Sequence, residues 1–244
     1  MNNAFFGSPI AIGSHRGIVL SDQPAPTPNT LEAFTHPNNQ NATYIECDLQ
    51  LDPNNNIVLQ HDPIDPKNPP QTLLSLDDFL TAFQDSQKKL YIELKYYETD
   101  PKKKETLVTR TLNTLINHKA ENKSAIASFD ADLLNITHQH TPNIPLILNL
   151  DLHNVLSKAY KLTQIALTHP INQHLSYIAP HINDIQNPKL PALPQLIWED
   201  ATEQKIYKTL KNMESTQERL DWCQTHNIVG LTSNTVKEVS DTYT

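Results

Sequence analysis

The chain has 244 residues, 38% of them hydrophobic, and a formal net charge of −8. That size allows a large buried core, while the acidic balance argues against nucleic acid or anionic membranes as partners. No run of about 18 apolar residues provides a membrane span, and two cysteines, Cys47 and Cys223, are too few for a disulfide framework or a cysteine-rich zinc site.

The opening stretch, "MNNAFFGSPIAIG", lacks a positive region followed by an apolar run, so it does not read as a secretory leader. With the low cysteine content this predicts a soluble, cytoplasmic protein. The first strand candidate, "IAIGSH" (10–15), leads into Arg16-Gly17, and "NTLEAFTH" (29–36) has a helical pattern. Strand "TYIECDLQL" (43–51) follows. Its period-two spacing puts Glu46 and Asp48 on one face and Ile45, Cys47 and Leu49 on the other. "DPNNN" is turn chemistry, and "NIVLQHD" (56–62) is too close for a helical crossover. The two runs are therefore expected to form an antiparallel hairpin centred near 54–55, with Asp48 across from His61. The proline-rich "DPIDPKNPPQ" (62–71) reads as a rigid loop.

Helix "SLDDFLTAF" (75–83) then alternates with strand "KLYIELK" (89–95), in which Glu93 and Lys95 share a face. Helix 102–118 opens with Lys102, Lys103 and Lys104, read as a solvated face. Strands are expected at 123–129, 144–150, 175–180, 194–199 and 227–233, and helices at 130–140, 154–167 and 217–226; no helix is evident over 182–193. Eight strands with helices between them predict a parallel, right-handed winding. Eight is also the number that closes a TIM (β/α)8 barrel, here a single α/β domain over 1–244 with a β-hairpin extension after the second strand. Among only four glycines, Gly13, Gly17 and Gly230 stand out as positions that make demands on the backbone.

In such a barrel, chemistry gathers at the C-terminal ends of the strands. Those ends hold His15 and Arg16, then Glu46 and Asp48, then His61 and Asp62 on the hairpin arm, then Glu93 and Lys95. Three carboxylates from neighbouring strands suit a hard divalent cation, Mg²⁺ or Ca²⁺ with Mn²⁺ as a substitute, which removes the like-charge cost of Glu46 beside Asp48. Arg16 and Lys95 offer donors to a phosphate, and a local cation overrides the chain's negative charge for an anionic substrate. His15 and His61 are placed to serve as general base and general acid.

The segments "HRG" (15–17), "NTLEAF" (29–34), "IECDLQLDPNNNIVLQHD" (45–62) and "YIELK" (91–95) resemble the glycerophosphodiester phosphodiesterases. These belong to the superfamily that includes phosphatidylinositol-specific phospholipase C. "SFDADLL" (128–134), "IPLILNL" (144–150), Trp198 and "VGLTSN" (229–234) extend the match more loosely. The resemblance implies a TIM barrel, one divalent cation, and hydrolysis of a small phosphodiester to an alcohol and glycerol 3-phosphate. It assigns His15 and His61 as the acid/base pair, Arg16 and Lys95 as phosphate contacts, and Glu46, Asp48 and Glu93 as metal ligands. It further implies attack on phosphorus by a hydroxyl of the substrate's own glycerol, giving a cyclic phosphate that water opens.

The chain departs from the family pattern at Pro28, where an acid is expected, and at Val229 and Ser233, in place of an aspartate and a threonine. Only 31 residues separate His61 from Glu93, which leaves "DPIDPKNPPQ" as a stub of the family's lid and a more open cleft. A sphingomyelinase-D-like or lysophospholipase-D-like enzyme releasing a cyclic phosphate is the alternative reading, and a non-catalytic phosphate- or metal-binding barrel the third. Trp198 is placed at the barrel mouth, either packing or stacking on substrate. Cys47 is expected to point into the helical layer, His138 and His140 to lie on the surface, and His153 and His181 to follow strands near the cleft. Oligomeric state has no signal in the sequence.

Overall fold

Alternation within single strands sets up two layers. On β2 (Tyr44–Leu51), Tyr44, Glu46, Asp48 and Gln50 face one way, and Ile45, Cys47 and Leu49 the other. On β4 (Lys89–Leu94), Tyr91 and Glu93 alternate with Leu90, Ile92 and Leu94. The outward set packs with helical residues such as Phe79, Leu80, Leu107 and Leu115 in one buried cluster, Cys47 among them. Burying each large aliphatic or aromatic side chain contributes about 1.5–3 kcal/mol, which drives the helices onto the strands.

The computed structural model describes residues 5–6, 10–20, 24–68, 70, 72–97 and 100–243. Parts of the opening stretch (1–4 and 7–9) and of the proline-rich loop (69 and 71) lie outside the described residues.

Besides β2 and β4, the parallel strands are β1 (Ala11–His15), β5 (Ser124–Ser128), β6 (Leu146–Leu150), β7 (Tyr177–Pro180), β8 (Gln195–Trp198) and β9 (Ile228–Ser233). They run in the order β1-β9-β8-β7-β6-β5-β4-β2, and β1 pairs with β2 to close an eight-stranded TIM barrel. Between them run α1 (Leu31–Thr35), α2 (Leu76–Ala82), α3 (Pro101–Asn117), α4 (Ala131–His140), α5 (Lys158–Ala166), α6 (Lys205–Lys211) and α7 (Thr216–Thr225), with α8 (Val236–Asp241) after the last strand. Several start where a side chain caps the first turn. Ser75 accepts from the Asp78 N–H, Asp100 from Lys102 and Asp130 from Asp132. Between 182 and 193 only a short 3₁₀ turn, Ile182–Asp184, forms. Among the described residues no helix is long and apolar enough to cross a membrane.

The lower half of the barrel is filled by an aromatic plug. Phe6 packs edge-on against Tyr44 and Tyr177, with ring centroids 5.0 and 5.3 Å apart, and Tyr44 stacks on Tyr91. Gly13 makes room for it, since a Cβ there would lie 2.1 Å from the Tyr44 ring. Above the plug the inward row turns acidic, so the same alternation that fills the barrel floor delivers Glu46, Asp48 and Glu93 to its upper end.

The hairpin forms with a register one residue away from the expected one. β3 (Ile57–Leu59) pairs antiparallel with β2 as Leu49↔Leu59, Gln50↔Val58 and Leu51↔Ile57. Asp48 therefore lies across from Gln60, whose N–H donates to the Asp48 carbonyl at 3.0 Å, and not across from His61. The cause is the turn. The Asp52 carboxylate accepts the N–H groups of Asn54 and Asn56, and Asn55 takes a left-handed φ of 64°. Five residues, 52–56, are left between the strands, and an odd loop moves the pairing by one.

Candidate active site

At the end of β1 the chain turns sharply. Arg16 and Gly17 both have positive φ, 55° and 74°, and a side chain at residue 17 would meet the Ala33 backbone. The turn lets the Arg16 N–H donate to Glu46 Oε2 at 3.0 Å and brings its guanidinium Nε to 3.1 Å from Asp48 Oδ2. Lys95, just beyond β4, lies 3.3 Å from Asp48 Oδ1 and 2.5 Å from Glu93 Oε1. Asn29, itself at φ 60°, donates to Asp48 Oδ2 at 2.9 Å and accepts from the Asp48 N–H.

The charge distribution is uneven. Burial works against ionising Asp48, but Arg16 and Lys95 outweigh it and hold the carboxyl well below the usual range. Glu46 moves the other way, pushed well up by burial and then by the Asp48 charge. Burial opposes the charge on Lys95, yet Glu93 and Asp48 raise its pKa.

Glu46 Oε1 is buried without any partner, and the buried oxygens Asp48 Oδ1 and Glu93 Oε1 meet only the Lys95 ammonium. Ligand atoms from the three carboxylates lie within 4.8 Å of one another. Buried carboxylate oxygens converging in this way, with a single ammonium among them and one oxygen left bare, fit a hard divalent cation. Their three negative charges against Arg16 and Lys95 leave one in excess, and a divalent ion would turn the cluster singly positive, matching a phosphodiester monoanion.

His15 is buried, and its Nδ1 sits 2.8 Å from Asn234 Oδ1. The Asn234 amide is oriented by its NH₂, which donates to the carbonyls of Asp200 and Glu203 at 2.8 and 3.0 Å. Its oxygen must then face His15, so Nδ1 carries the proton and Nε2 keeps its lone pair. Burial, then the Arg16 charge, lowers the His15 pKa well below its ordinary value, so the ring is neutral at pH 7. Asn234 is anchored in turn by Glu199, which accepts from the Asn234 N–H and the Ser233 hydroxyl, while its other oxygen accepts from the Ile206 N–H. Replacing Asn234 by alanine is expected to lower kcat by about 10- to 100-fold, the range for removing a group that orients a working imidazole. Steady-state kinetics would check this, and unchanged turnover would contradict it.

His61 is one-third exposed, with Nδ1 2.8 Å from Asp62 Oδ1. His15, Arg16, Glu46, His61, Glu93, Lys95 and Trp198 all line one cavity of about 380 Å³, and Asp48 lies buried beneath them. Trp198 contributes its ring only, because its Nε1–H donates to the Ala179 carbonyl at 3.0 Å and its plane stands at 86° to Phe129. The eight residues singled out in the sequence thus come together.

Other expectations resolve less evenly. His153 and His181 are absent from the cavity wall; their rings stack at 4.0 Å behind it. His138 stacks on His174 and His140 pairs with Glu105 at the outer surface. Pro28 is exposed, and Ser233 serves Glu199. Sequence reasoning passed over Asn29, Glu199 and Asn234 as functional residues. Asn29 and Asn234 stand inside "NTLEAF" and "VGLTSN", but nothing in those strings says which groups they meet.

No protein-family model matches the chain, and no curated protein does either. Solved structures do. A Silicibacter pomeroyi chain with the provisional name glycerophosphoryl diester phosphodiesterase has a TM-score of 0.71 at 15% identity, over 98% of this chain and 95% of that one. A glycerophosphodiester phosphodiesterase from Parabacteroides distasonis has a TM-score of 0.67 at 15% identity, over 95% of each chain. An Oleispira antarctica phosphodiesterase, solved with its product sn-glycerol-3-phosphate, has a TM-score of 0.62 at 14% identity, covering 95% of this chain and 96% of that one. At these identities the likeness shows the shared barrel fold.

Proposed function

We propose that the chain is a metal-dependent phosphodiesterase that hydrolyses glycerophosphodiesters to an alcohol and glycerol 3-phosphate. The observation that carries this reading is the convergence of three buried carboxylates beside Arg16 and Lys95, in a cavity that two imidazoles also line. A barrel that only bound phosphate would have no use for a neutral, tautomer-fixed histidine next to a second histidine. The barrel neighbours named for this reaction, one of them holding sn-glycerol-3-phosphate, support the same substrate class.

Glu46, Asp48 and Glu93 would hold the cation, Mg²⁺ or Ca²⁺. When bound, it makes the attacking hydroxyl more acidic and neutralises charge that builds up in the transition state. Arg16 and Lys95 orient the phosphoryl oxygens. His15, neutral and with Nε2 as acceptor, takes the proton of the attacking hydroxyl. His61, whose Nδ1 faces the Asp62 carboxylate, gives a proton to the departing alcohol; water then opens the resulting cyclic phosphate with the two histidines in exchanged roles, leaving glycerol 3-phosphate. The Trp198 ring borders the space for that alcohol. Both cysteines are free and buried, which supports action in the reducing cytoplasm, and pairing of the first and last barrel strands in one sheet supports a single domain over 1–244.

The test is release of glycerol 3-phosphate from glycerophosphocholine, glycerophosphoethanolamine and glycerophosphoglycerol with Mg²⁺ or Ca²⁺ present. Turnover of at least one is expected. No turnover of any contradicts the reading, and accumulation of a cyclic phosphate alone reassigns the chain to the sphingomyelinase-D-like or lysophospholipase-D-like reaction.

A further inference from the structure

The shifted register leaves His61 beyond the ladder. The last cross-strand bond is Gln60 N–H to the Asp48 carbonyl, and β3 itself ends at Leu59. A residue just outside a sheet has no backbone partners to fix it, yet an imidazole that transfers a proton must hold its position to within about 0.5 Å. Three consecutive carbonyls in this segment are nevertheless engaged by side chains. Gln50 Nε2 donates to the carbonyl of Gln60 at 2.7 Å and to that of Asp62 at 2.8 Å. The Tyr97 hydroxyl donates to the carbonyl between them, that of His61 itself.

Carbonyl oxygens only accept, so both hydrogens of the Gln50 amide are committed and its orientation is fixed. Gln50 is buried on β2, the next inward residue after Glu46 and Asp48. Tyr97 follows Lys95 by two residues and lines the same cavity as His61. The clamp thus grows from β2 and from the segment that follows β4, and it ties the hairpin arm to them.

We propose that Gln50 and Tyr97 are positioning residues that hold His61 where it protonates the leaving alcohol. This rests on the phosphodiesterase reading, and the test separates the two. Gln50→Leu deletes both amide donors, and Tyr97→Phe removes a single oxygen. Each variant of the full chain is compared with wild type, metal present, on glycerophosphocholine and on the 4-nitrophenyl diester of glycerol 3-phosphate. Choline departs as an alkoxide that needs a proton, whereas 4-nitrophenolate leaves without one.

For glycerophosphocholine, kcat is expected to fall about 10- to 100-fold with KM within about twofold of wild type, the scale for loss of an orienting partner. Single-turnover release of 4-nitrophenol should stay within about threefold of wild type, because general-acid help is not required there. A purely structural role would slow both substrates alike, and that result overturns the proposal. So do unchanged rates on both. Should Gln50→Leu fail to fold, Tyr97→Phe decides the matter by the same comparison. A wild-type chain that cleaves neither diester overturns the phosphodiesterase reading and this proposal with it.

Discussion

Replacing His15 or His61 by alanine is expected to lower kcat on a glycerophosphodiester by about 10²- to 10⁴-fold, the usual worth of a positioned acid or base. The loss should fall on chemistry and not on folding. His61 is one-third exposed and makes its side-chain contact with its own neighbour, Asp62, so its removal opens no core cavity. His15 is buried and bonded to Asn234, and its loss costs some stability, but it stands above the aromatic plug and outside the main hydrophobic cluster. Cooperative unfolding and an unchanged circular dichroism spectrum would show that fold is retained. Near wild-type turnover in either variant would contradict the assignment.

Chelation is expected to abolish turnover, and return of Mg²⁺, Mn²⁺ or Ca²⁺ to restore it. Burying like charges side by side is unfavourable, and Arg16 and Lys95 do not balance three carboxylates. Burial and Asp48 already push Glu46 toward its protonated form, so without a cation the cluster cannot keep its full charge. The ion should therefore stabilise the folded chain as well as activate it. At a concentration 100 times its dissociation constant, the gain is about 2.7 kcal/mol. For a chain of this size that corresponds to roughly 5–10 °C in Tm. Thermal unfolding with and without EDTA measures the shift. Full activity in excess chelator would remove the metal from the mechanism.

The barrel was legible because its strands are short, β-branched and regularly spaced, and because each inward row carries its own chemistry. Glu46 and Asp48 announce themselves by being two apart in an otherwise apolar run, as do Glu93 and Lys95. Two helices escaped notice, α6 and α8, since neither has a side-chain cap at its start. Tertiary packing holds them instead, with Ile206, Leu210, Val236 and Val239 meeting in one buried cluster. The hairpin was foreseen but not its register, because one left-handed asparagine decides between an even and an odd loop, and local propensity allows both. Asn29, Asn234 and Gln50 were hidden for another reason. Asn29 and Asn234 act on residues 19 and 219 positions away, which only closure of the barrel brings together, and Gln50 acts on carbonyls that the unforeseen hairpin register sets beside it.

The central claim is that Glu46, Asp48 and Glu93 grip one cation beneath a phosphoryl group. Crystals grown with Mn²⁺ and measured at its absorption edge address this directly. The account predicts an anomalous peak about 2.0–2.6 Å from an oxygen of each of the three carboxylates. A map with no peak there, or with manganese bound only elsewhere on the molecule, would contradict it.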